Sequence, residues 1–386
     1  MKLVEDFVNV SHGIGIPFGG IGTGYALFGK HGFIRNNFNS VPDVPMYKSM
    51  NEKAYYDYEN NLAYNTFMAI TVTENDEKFV LQEKNCDWIE GKRADKFESY
   101  AYLPFGLHRM SFEKAEFETE ILMFSPMIPH NLRESSIPVL CMELCIKNNM
   151  DKDRTFQINF ELNSAENLYN ECGSVDFKFE NEGKLCISGN GKEKLKLFFS
   201  WYYPEFQTPS KSMTDKFMRY YTLQFNNTKE ILDYACIKAD MWKDEINKWH
   251  NSLEIACQFK RLWFSSLSSV ITSTMLSTDE VFIEIETPHS FVNTMDVCVY
   301  SSWVYLINWP EIEKMDIRMY NNSIQKEGED KGFVWHSLWN DRSNYVEEPT
   351  YITRIYRDYL WFNDRKFLED VFDSMKIAFE RVYEQS

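Results

Sequence analysis

The feature that most constrains the fold of this chain is a change in the spacing of its apolar residues near position 210. Before it, apolar and polar residues alternate in short runs separated by Asn, Asp and Gly. After it, apolar residues recur every three to four positions. Alternation is typical of strands with one buried face, and the longer period is typical of amphipathic helices. The sequence therefore predicts a β part followed by an α part.

In the first part, the alternating runs predict strands joined by polar turns. The turn ENDE at 74–77 and the segment NNMDKDR at 148–154 are both typical of hairpins. Strands at this spacing predict an antiparallel β-sandwich. The predicted strands are 65–73, 78–82, 137–147, 155–162, 175–179, 185–188 and 195–202.

In the second part, the period predicts a succession of helices. Pro310 and Pro349 mark helix starts, because proline is tolerated in the first turn. The boundary falls in the polar stretch 208–216, which gives a β domain over 1–212 and a helical domain over 213–386. The predicted helices cover 228–254, 257–276, 294–309, 311–325, 350–362 and 366–384.

Composition excludes several classes of partner. The net charge of −17 gives no attraction for nucleic acid or anionic lipid. The sequence has neither an amino-terminal signal peptide nor an apolar run long enough to span a membrane. Its eight cysteines are scattered without metal-ligand spacing, which favours reduced thiols. We therefore expect a cytoplasmic protein.

The 16% aromatic content suits a large core, and also the walls of a sugar-binding site.

The segment 13–24, GIGIPFGGIGTG, requires a sharply turning backbone. Phosphate or dinucleotide binding would need a strand before it and a helix after it. The flanking sequence has neither pattern, so a structural loop at the domain edge is favoured.

The segment 282–296 is the richest in candidate chemistry. It carries Glu284, Glu286, His289 and Asp296 in what we interpret as a loop between helices. Glycoside hydrolysis uses two carboxyl groups, and loops often carry such residues. A solvated acidic surface is the alternative. Because Glu284 and Glu286 alternate with isoleucines, an extended backbone would place both carboxyl groups on one face. Spacing alone does not choose the nucleophile.

Two further positions have a functional and a structural interpretation. His336 lies between two tryptophans and could bind sugar hydroxyls, or could be a core histidine. Asp358 follows Arg357 in a predicted helix, where an acid beside an arginine usually forms a structural ion pair.

Taken together, six ordered segments of this chain resemble glycoside hydrolase family 116, which includes the non-lysosomal glucosylceramidase and archaeal and bacterial β-glucosidases and β-xylosidases. The resemblance implies an amino-terminal β-sandwich followed by an (α/α)6 barrel. The six segments are IPFGGIGTG (16–24), SPMIPHNLRESSIPV (125–139), FIEIET (282–287), NTMDVCVYSSWVYLINWPEIEK (293–314), FVWHSLW (333–339) and IYRDYLW (355–361).

The resemblance also implies roles for single residues. Glu286 matches the nucleophile of a retaining mechanism. Asp296, in the N-T-x-D-V motif, and His336 match residues that bind the glycone, and Asp358 matches the aspartate of Y-R-D-Y. The implied substrate is a β-linked glucoside or xyloside, and neither a metal nor an organic cofactor is implied.

The family's general acid/base is an aspartate more than a hundred residues beyond the nucleophile, so it would fall past Ser386. At about 11–12 residues per helix, the second part supplies roughly half of the twelve helices of a barrel. We therefore expect a partial barrel, with little or no turnover by this chain alone. The alternative is a non-catalytic protein that binds sugar or a complementary chain.

Overall fold

Two β-sheets face each other in the first part of the chain. The computed structural model describes residues 6–11, 15–36, 66–84, 86–164, 173–207, 216–286, 291–338 and 347–385. The strands of this part are β1 Val8–Asn9, β2 Ile16–Phe18, β3 Ala26–Gly29, β4 Gly32–Asn36, β5 Met68–Glu74, β6 Glu77–Val80, β7 Lys92–Arg93, β8 Lys96–Tyr102, β9 Phe105–Phe112, β10 Phe117–Phe124, β11 Val139–Asn148, β12 Arg154–Leu162, β13 Ser174–Phe179, β14 Lys184–Ile187, β15 Lys192–Tyr202, β16 Glu205–Gln207 and β17 Lys216–Met218.

One sheet has the order β1-β8-β9-β10-β11-β15-β13. The other has the order β14-β12-β5-β4-β3-β2, with β6 beside β5 and β7 beside β6. Aromatic rings from the two sheets meet in a shared core, which makes this part the predicted β-sandwich. Ring pairs across the core are Phe28–His108, Phe79–Phe112, Phe117–Phe156 and Phe160–Phe177.

The two predicted hairpins have different outcomes. Strands β5 and β6 pair antiparallel through a turn in which Asn75 and Asp76 take positive φ of 47° and 66°, which confirms the first. The second is wrong. Strand β11 pairs with β10 and β15, whereas β12 pairs with β5 and β14 in the opposite sheet. The segment 149–153 therefore crosses from one sheet to the other. The prediction failed because a polar turn signal indicates a change of chain direction but does not identify the strand partner.

Most helices follow the predicted segments. The exception is 257–276, where two short helices, Cys257–Ser265 and Leu267–Thr272, are followed by a strand, Thr274–Leu276. Pro310 is the first residue of its helix and Pro349 the second of its own. The side chain of Asn227 caps another helix by accepting from the amide of Glu230 at 3.0 Å. In chain order the helices are α1 Leu132–Ser135, α2 Thr228–Ser252, α3 Cys257–Ser265, α4 Leu267–Thr272, α5 Met295–Asn308, α6 Pro310–Ser323, α7 Glu348–Phe362 and α8 Arg365–Gln385.

Helix α2 covers the seven-stranded sheet, packing on β11, β13 and β15. Its Trp242 is fully buried and donates to a carboxylate oxygen of Glu134 at 2.5 Å, and Tyr234 donates to the other oxygen at 2.5 Å. The later helices pack on one another as α5 with α6 and α7, and α8 with α6 and α7. An α part is thus present, and the partial (α/α)6 barrel stays a prediction. None of the helices in the described ranges combines the length and apolarity that a bilayer crossing requires.

A small three-stranded sheet connects the two parts. It consists of β18 Thr274–Leu276, β19 Phe282–Glu286 and β20 Phe291–Val292. The glycine-rich turn between β2 and β3 packs against it: the amide of Gly22 donates to Thr274 Oγ1 at 3.0 Å, and buried Arg219 donates to the Gly22 carbonyl at 2.7 Å. A Cβ on Gly22 would lie 2.5 Å from the amide nitrogen of Leu276. These contacts favour the structural interpretation of the turn.

Candidate functional site

Glu284 and Glu286 lie on a strand, not in the loop that we expected. Both belong to β19, which pairs with β18 on one side and β20 on the other. Ile283 and Ile285 are buried, while the two glutamates are half-buried on the opposite face. The prediction that an extended backbone would place both carboxyl groups on one face is therefore confirmed. His289, the third candidate of this segment, lies outside the described residues.

The carboxyl group of Glu284 is enclosed by helix α5. Ser301 donates to one of its oxygens at 2.9 Å, and the hydroxyl of Tyr305 donates to the other at 3.1 Å. Burial raises the pKa of Glu284 to about 7, despite the two hydrogen bonds that favour the charged form. Glu284 therefore takes up a proton at a pH where an ordinary glutamate is ionised.

The carboxyl group of Glu286 accepts from the hydroxyl of Thr294 at 2.8 Å. Thr294 immediately precedes α5 and makes no capping hydrogen bond to that helix, because its hydroxyl is directed at Glu286. Phe291 is the strand partner of Glu286 in β20. The arrangement holds Glu286 beside the amino-terminal end of α5.

Asp296 and His336 meet at the same end of α5. Asp296 lies in its first turn with 62% of its side chain exposed, and its Oδ1 is 3.8 Å from His336 Nδ1. The buried carboxylate of Glu347 lies closer, at 2.9 Å from the same nitrogen. The carbonyl of His336 accepts from the amide of Met295 at 2.7 Å. Since Thr294 binds Glu286, the start of α5 brings three of the four predicted site residues together.

The donor atoms of Asp296, His336 and Glu347 lie within 4.8 Å of one another, so this trio could hold a divalent cation. His336 Nδ1 would have to be a ligand in such a site. The same nitrogen, at 2.9 Å from Glu347, is placed to donate a hydrogen bond to that carboxylate. A nitrogen that carries a proton cannot coordinate a metal, so the two states exclude each other.

Asp358 belongs to a different cluster. It is fully buried, forms an ion pair with Arg357 at 2.6 Å and hydrogen-bonds to Glu313. Glu313 also binds Arg357 at 2.6 Å and Arg354 at 2.9 Å, and Arg354 binds Asp316 at 2.7 Å. The structure therefore does not bring Asp358 together with Glu286. Its surroundings favour the structural ion pair that the sequence left open.

This buried cluster contains three acids and two arginines, so charge balance requires one bound proton. Burial raises the pKa of Glu313 well above its ordinary value, and burial also raises that of Asp358. Glu313 belongs to α6 and Asp358 to α7, and the ion pairs of the cluster join these two helices. The cluster thus fixes one helix against the other. Asn293 connects it to the strand, because its side chain binds both Asp316 and the amide of Glu284.

Residues 15–184 match the family model described as "beta-glucosidase 2, glycosyl-hydrolase family 116 N-term". This part of the chain is similar to the amino-terminal domain of family 116. The match covers β2 to the start of β14, and it confirms the resemblance found from sequence segments. Glu286, Asp296, His336 and Asp358 all lie beyond the matched residues, so their roles stay predictions.

A solved structure described as "Putative kojibiose phosphorylase from human microbiome" matches with a TM-score of 0.33 and 10% identity. The match covers 79% of this chain and 48% of that chain, so this chain spans about half of the length of that protein. A TM-score this low carries no argument about fold or function. The search of curated proteins found no match.

Sequence reasoning missed four residues that hold the candidate groups in place: Thr294, Ser301, Tyr305 and Glu347. Thr294, Ser301 and Tyr305 all lie in the resembling segment 293–314, but only Thr294 stands in its N-T-x-D-V motif. Ser301 and Tyr305 lie seven and eleven residues after Thr294 and look like ordinary helix positions. Glu347 is eleven residues after His336 in the sequence, and the fold brings the two side chains together.

Proposed function

We propose that this chain carries the nucleophile of a retaining β-glycosidase of family 116, and that Glu286 is that nucleophile. The supporting observation is the grouping of Glu286, Asp296 and His336 around the start of α5, with Thr294 bound to Glu286 at 2.8 Å. The amino-terminal domain match makes a glycoside hydrolase the appropriate enzyme class. The proposed substrate is a β-linked glucoside or xyloside.

In the proposed reaction, a carboxylate oxygen of Glu286 attacks the anomeric carbon and the bond to the leaving oxygen breaks. This produces a glycosyl ester on Glu286, which water then hydrolyses. Thr294 holds the carboxylate in one orientation by its hydrogen bond. The proton for the leaving oxygen comes from a second carboxyl group, which we assign to none of the described residues.

Glu286 is preferred over Glu284 because a nucleophile must be ionised and must reach the substrate. The carboxyl group of Glu284 is bonded to two side chains of α5, and its pKa is raised to about 7. Its oxygens are thus occupied within the protein. In the proposed complex, Asp296 and His336 bind hydroxyl groups of the glycone.

An activated 2-deoxy-2-fluoro-β-glucosyl fluoride tests this assignment without a general acid, because fluoride leaves without needing a proton. We expect a covalent adduct on Glu286 by peptide mass spectrometry. The adduct should be absent in Glu286→Gln and retained in the matched control Glu284→Gln. An adduct on Glu284 would overturn the residue assignment. The absence of any adduct would count against the proposed retaining glycosidase activity.

The proposed lack of a general acid has its own test. The purified chain should hydrolyse an unactivated alkyl β-glucoside no faster than the uncatalysed reaction. A robust rate that Glu286→Gln abolishes would show that a second carboxyl group of this chain supplies the proton.

A second candidate function is binding without catalysis, in which the chain pairs with a complementary helical polypeptide. The supporting observation is an aromatic patch on α5 and α7, in which the rings of Trp303 and Trp361 meet at 6.2 Å and the guanidinium of Arg357 lies 4.9 Å from the Trp303 ring. Exposed apolar surface of this kind marks interaction sites. The exposed members of the patch are Val299, Tyr300, Trp303, Tyr356, Leu360 and Trp361.

Calorimetric titration with glucose and xylose separates the two candidates. Sugar binding without any covalent adduct favours the second candidate function. A helical chain that co-purifies with the unmodified protein and is lost in Leu360→Ser would favour it too. Adduct formation on Glu286 favours the first.

A further inference from the structure

The hydrogen bond between His336 and Glu347 joins two buried side chains from separate segments. His336 Nδ1 lies 2.9 Å from Glu347 Oε1, and both residues are at most 9% exposed. A buried carboxylate without a donor is costly, and His336 supplies one. This contact is therefore part of the folded structure and not a transient surface pair.

Both partners are held by their backbones. Glu347 stands at the cap position of α7, and its carbonyl accepts from the amide of Tyr351 at 2.9 Å. A carboxylate at the amino-terminal end of a helix is stabilised by the helix dipole. On the other side, the His336 carbonyl accepts from Met295, and the next residue, Ser337, forms a bridge with Thr294. These contacts fix the two backbones, and the hydrogen bond between ring and carboxylate would be lost if either side chain turned away.

A carboxylate can only accept a hydrogen bond, so the proton must be on the nitrogen that faces it. Neutral imidazole then carries its proton on Nδ1, and Nε2 becomes the acceptor nitrogen. The second carboxylate near this ring, Asp296, is 3.8 Å from the same Nδ1 and largely exposed. Glu347 therefore accepts the hydrogen bond from Nδ1–H. The Asp296 carboxylate is left to bind a ligand.

We infer that Glu347 is a positioning residue: it fixes the orientation and the Nδ1–H tautomer of His336, so that His336 meets a glycone hydroxyl as an acceptor through Nε2. The tautomer part stands on the geometry alone. The glycone part rests on the proposed function. Glu347 itself has no contact with the substrate in this arrangement.

Nitrogen-15 NMR of the histidine side chains in the full chain tests the tautomer directly. At a pH above the histidine titration, His336 should show the Nδ1–H form, and Glu347→Gln should convert it to a mixture or to the Nε2–H form. Glu348→Gln is the matched control, because Glu348 is the buried neighbour that accepts from Val334 and pairs with Arg381 instead. An Nε2–H form in the unmodified chain, or no change in Glu347→Gln, would overturn the inference.

Glucose and xylose titrations then test the consequence for binding. Glu347→Gln should weaken sugar affinity roughly tenfold, the usual scale for a hydrogen bond to a charged group, while Glu348→Gln should not. Glu347→Asp serves as a second variant if Glu347→Gln does not fold, and its shorter side chain should give the same weakening. Unchanged affinity in a folded Glu347 variant, beside a loss in His336→Ala, would contradict the positioning role. If the unmodified chain bound neither sugar, the proposed function would fail while the NMR result would still decide the tautomer.

Discussion

Glu284 and Glu286 leave the same face of one strand, but their carboxyl groups bond to different parts of the same segment. Glu286 binds Thr294 just before α5, whereas Glu284 binds residues in the body of that helix. The two groups therefore have different environments at a separation of only two residues. One is placed for chemistry at the edge of the helix, and the other helps to hold the strand against it.

The raised pKa of Glu284 predicts a specific pH dependence of stability. The folded state holds this proton up to about pH 7, while the unfolded chain releases it near the ordinary value of 4.5. The stabilising contribution of Glu284 is therefore fully present below pH 4.5 and is lost as the pH rises through 7. Relative to Glu284→Gln, the free energy of unfolding of the unmodified chain should fall by up to about 3 kcal/mol across this window.

Urea unfolding of both proteins at several pH values measures this difference. Tyr305→Phe removes a hydrogen bond that favours the charged form, so it should steepen the decline near neutral pH. Parallel stability curves for the unmodified chain and Glu284→Gln would contradict the prediction.

The buried cluster around Asp358 predicts an asymmetry between removing an acid and removing a base. Arg354→Met leaves Glu313 and Asp316 without their main cation and should cost about 3–5 kcal/mol of unfolding free energy. Asp358→Asn removes the surplus acid and should cost only about 1 kcal/mol. Equal costs by urea unfolding would argue against this charge count. Loss of sugar binding in a fully stable Asp358→Asn protein would instead support the sugar contact implied by the family resemblance.

Gly22 predicts a large penalty for adding one methyl group. It has a positive φ of 71°, and a Cβ would lie 2.5 Å from the amide nitrogen of Leu276. Gly22→Ala should therefore cost about 2–4 kcal/mol, since backbone strain and overpacking add. Gly328→Ala isolates the backbone effect, because Gly328 has a φ of 86° with no atom within 4 Å, and it should cost about 1 kcal/mol. Thermal unfolding of both variants measures the difference, and similar costs would show that the contact with Leu276 is unimportant.

The trio around His336 predicts insensitivity to chelation. Because Nδ1 is placed to donate to Glu347, we expect ethylenediaminetetraacetate to leave the melting temperature unchanged. A fall that Zn²⁺ or another divalent cation reverses would identify a metal centre instead. Such a rescue should then be absent in His336→Gln.

The sequence predicted the helices well because their local signals are strong. Pro310 and Pro349 mark two starts, and Asn227 caps a third. Strand partners were less predictable, because the alternation in 137–147 and 155–162 reports a buried face but not which sheet supplies it. The strand around Glu286 escapes prediction because its alternating run is only five residues long.

The site was predictable only in part for a similar reason. Glu286, Asp296 and His336 were found through their resemblance to family 116 segments, and the structure places them together. Glu347 was missed and Asp358 was placed in the ion-pair cluster, since burial and long-range packing decide what those carboxyl groups contact. Residue type alone does not contain that information.

The contact between Gly22 and Thr274 also has a consequence for how the protein is made. These residues are 252 positions apart, so the strand beside the glutamate-bearing strand is secured by a turn that the ribosome produced much earlier. Such high contact order slows folding, and the early turn must wait with its partner surface uncovered. During synthesis, the turn can therefore acquire its final neighbours only after Thr274 and Leu276 have been made.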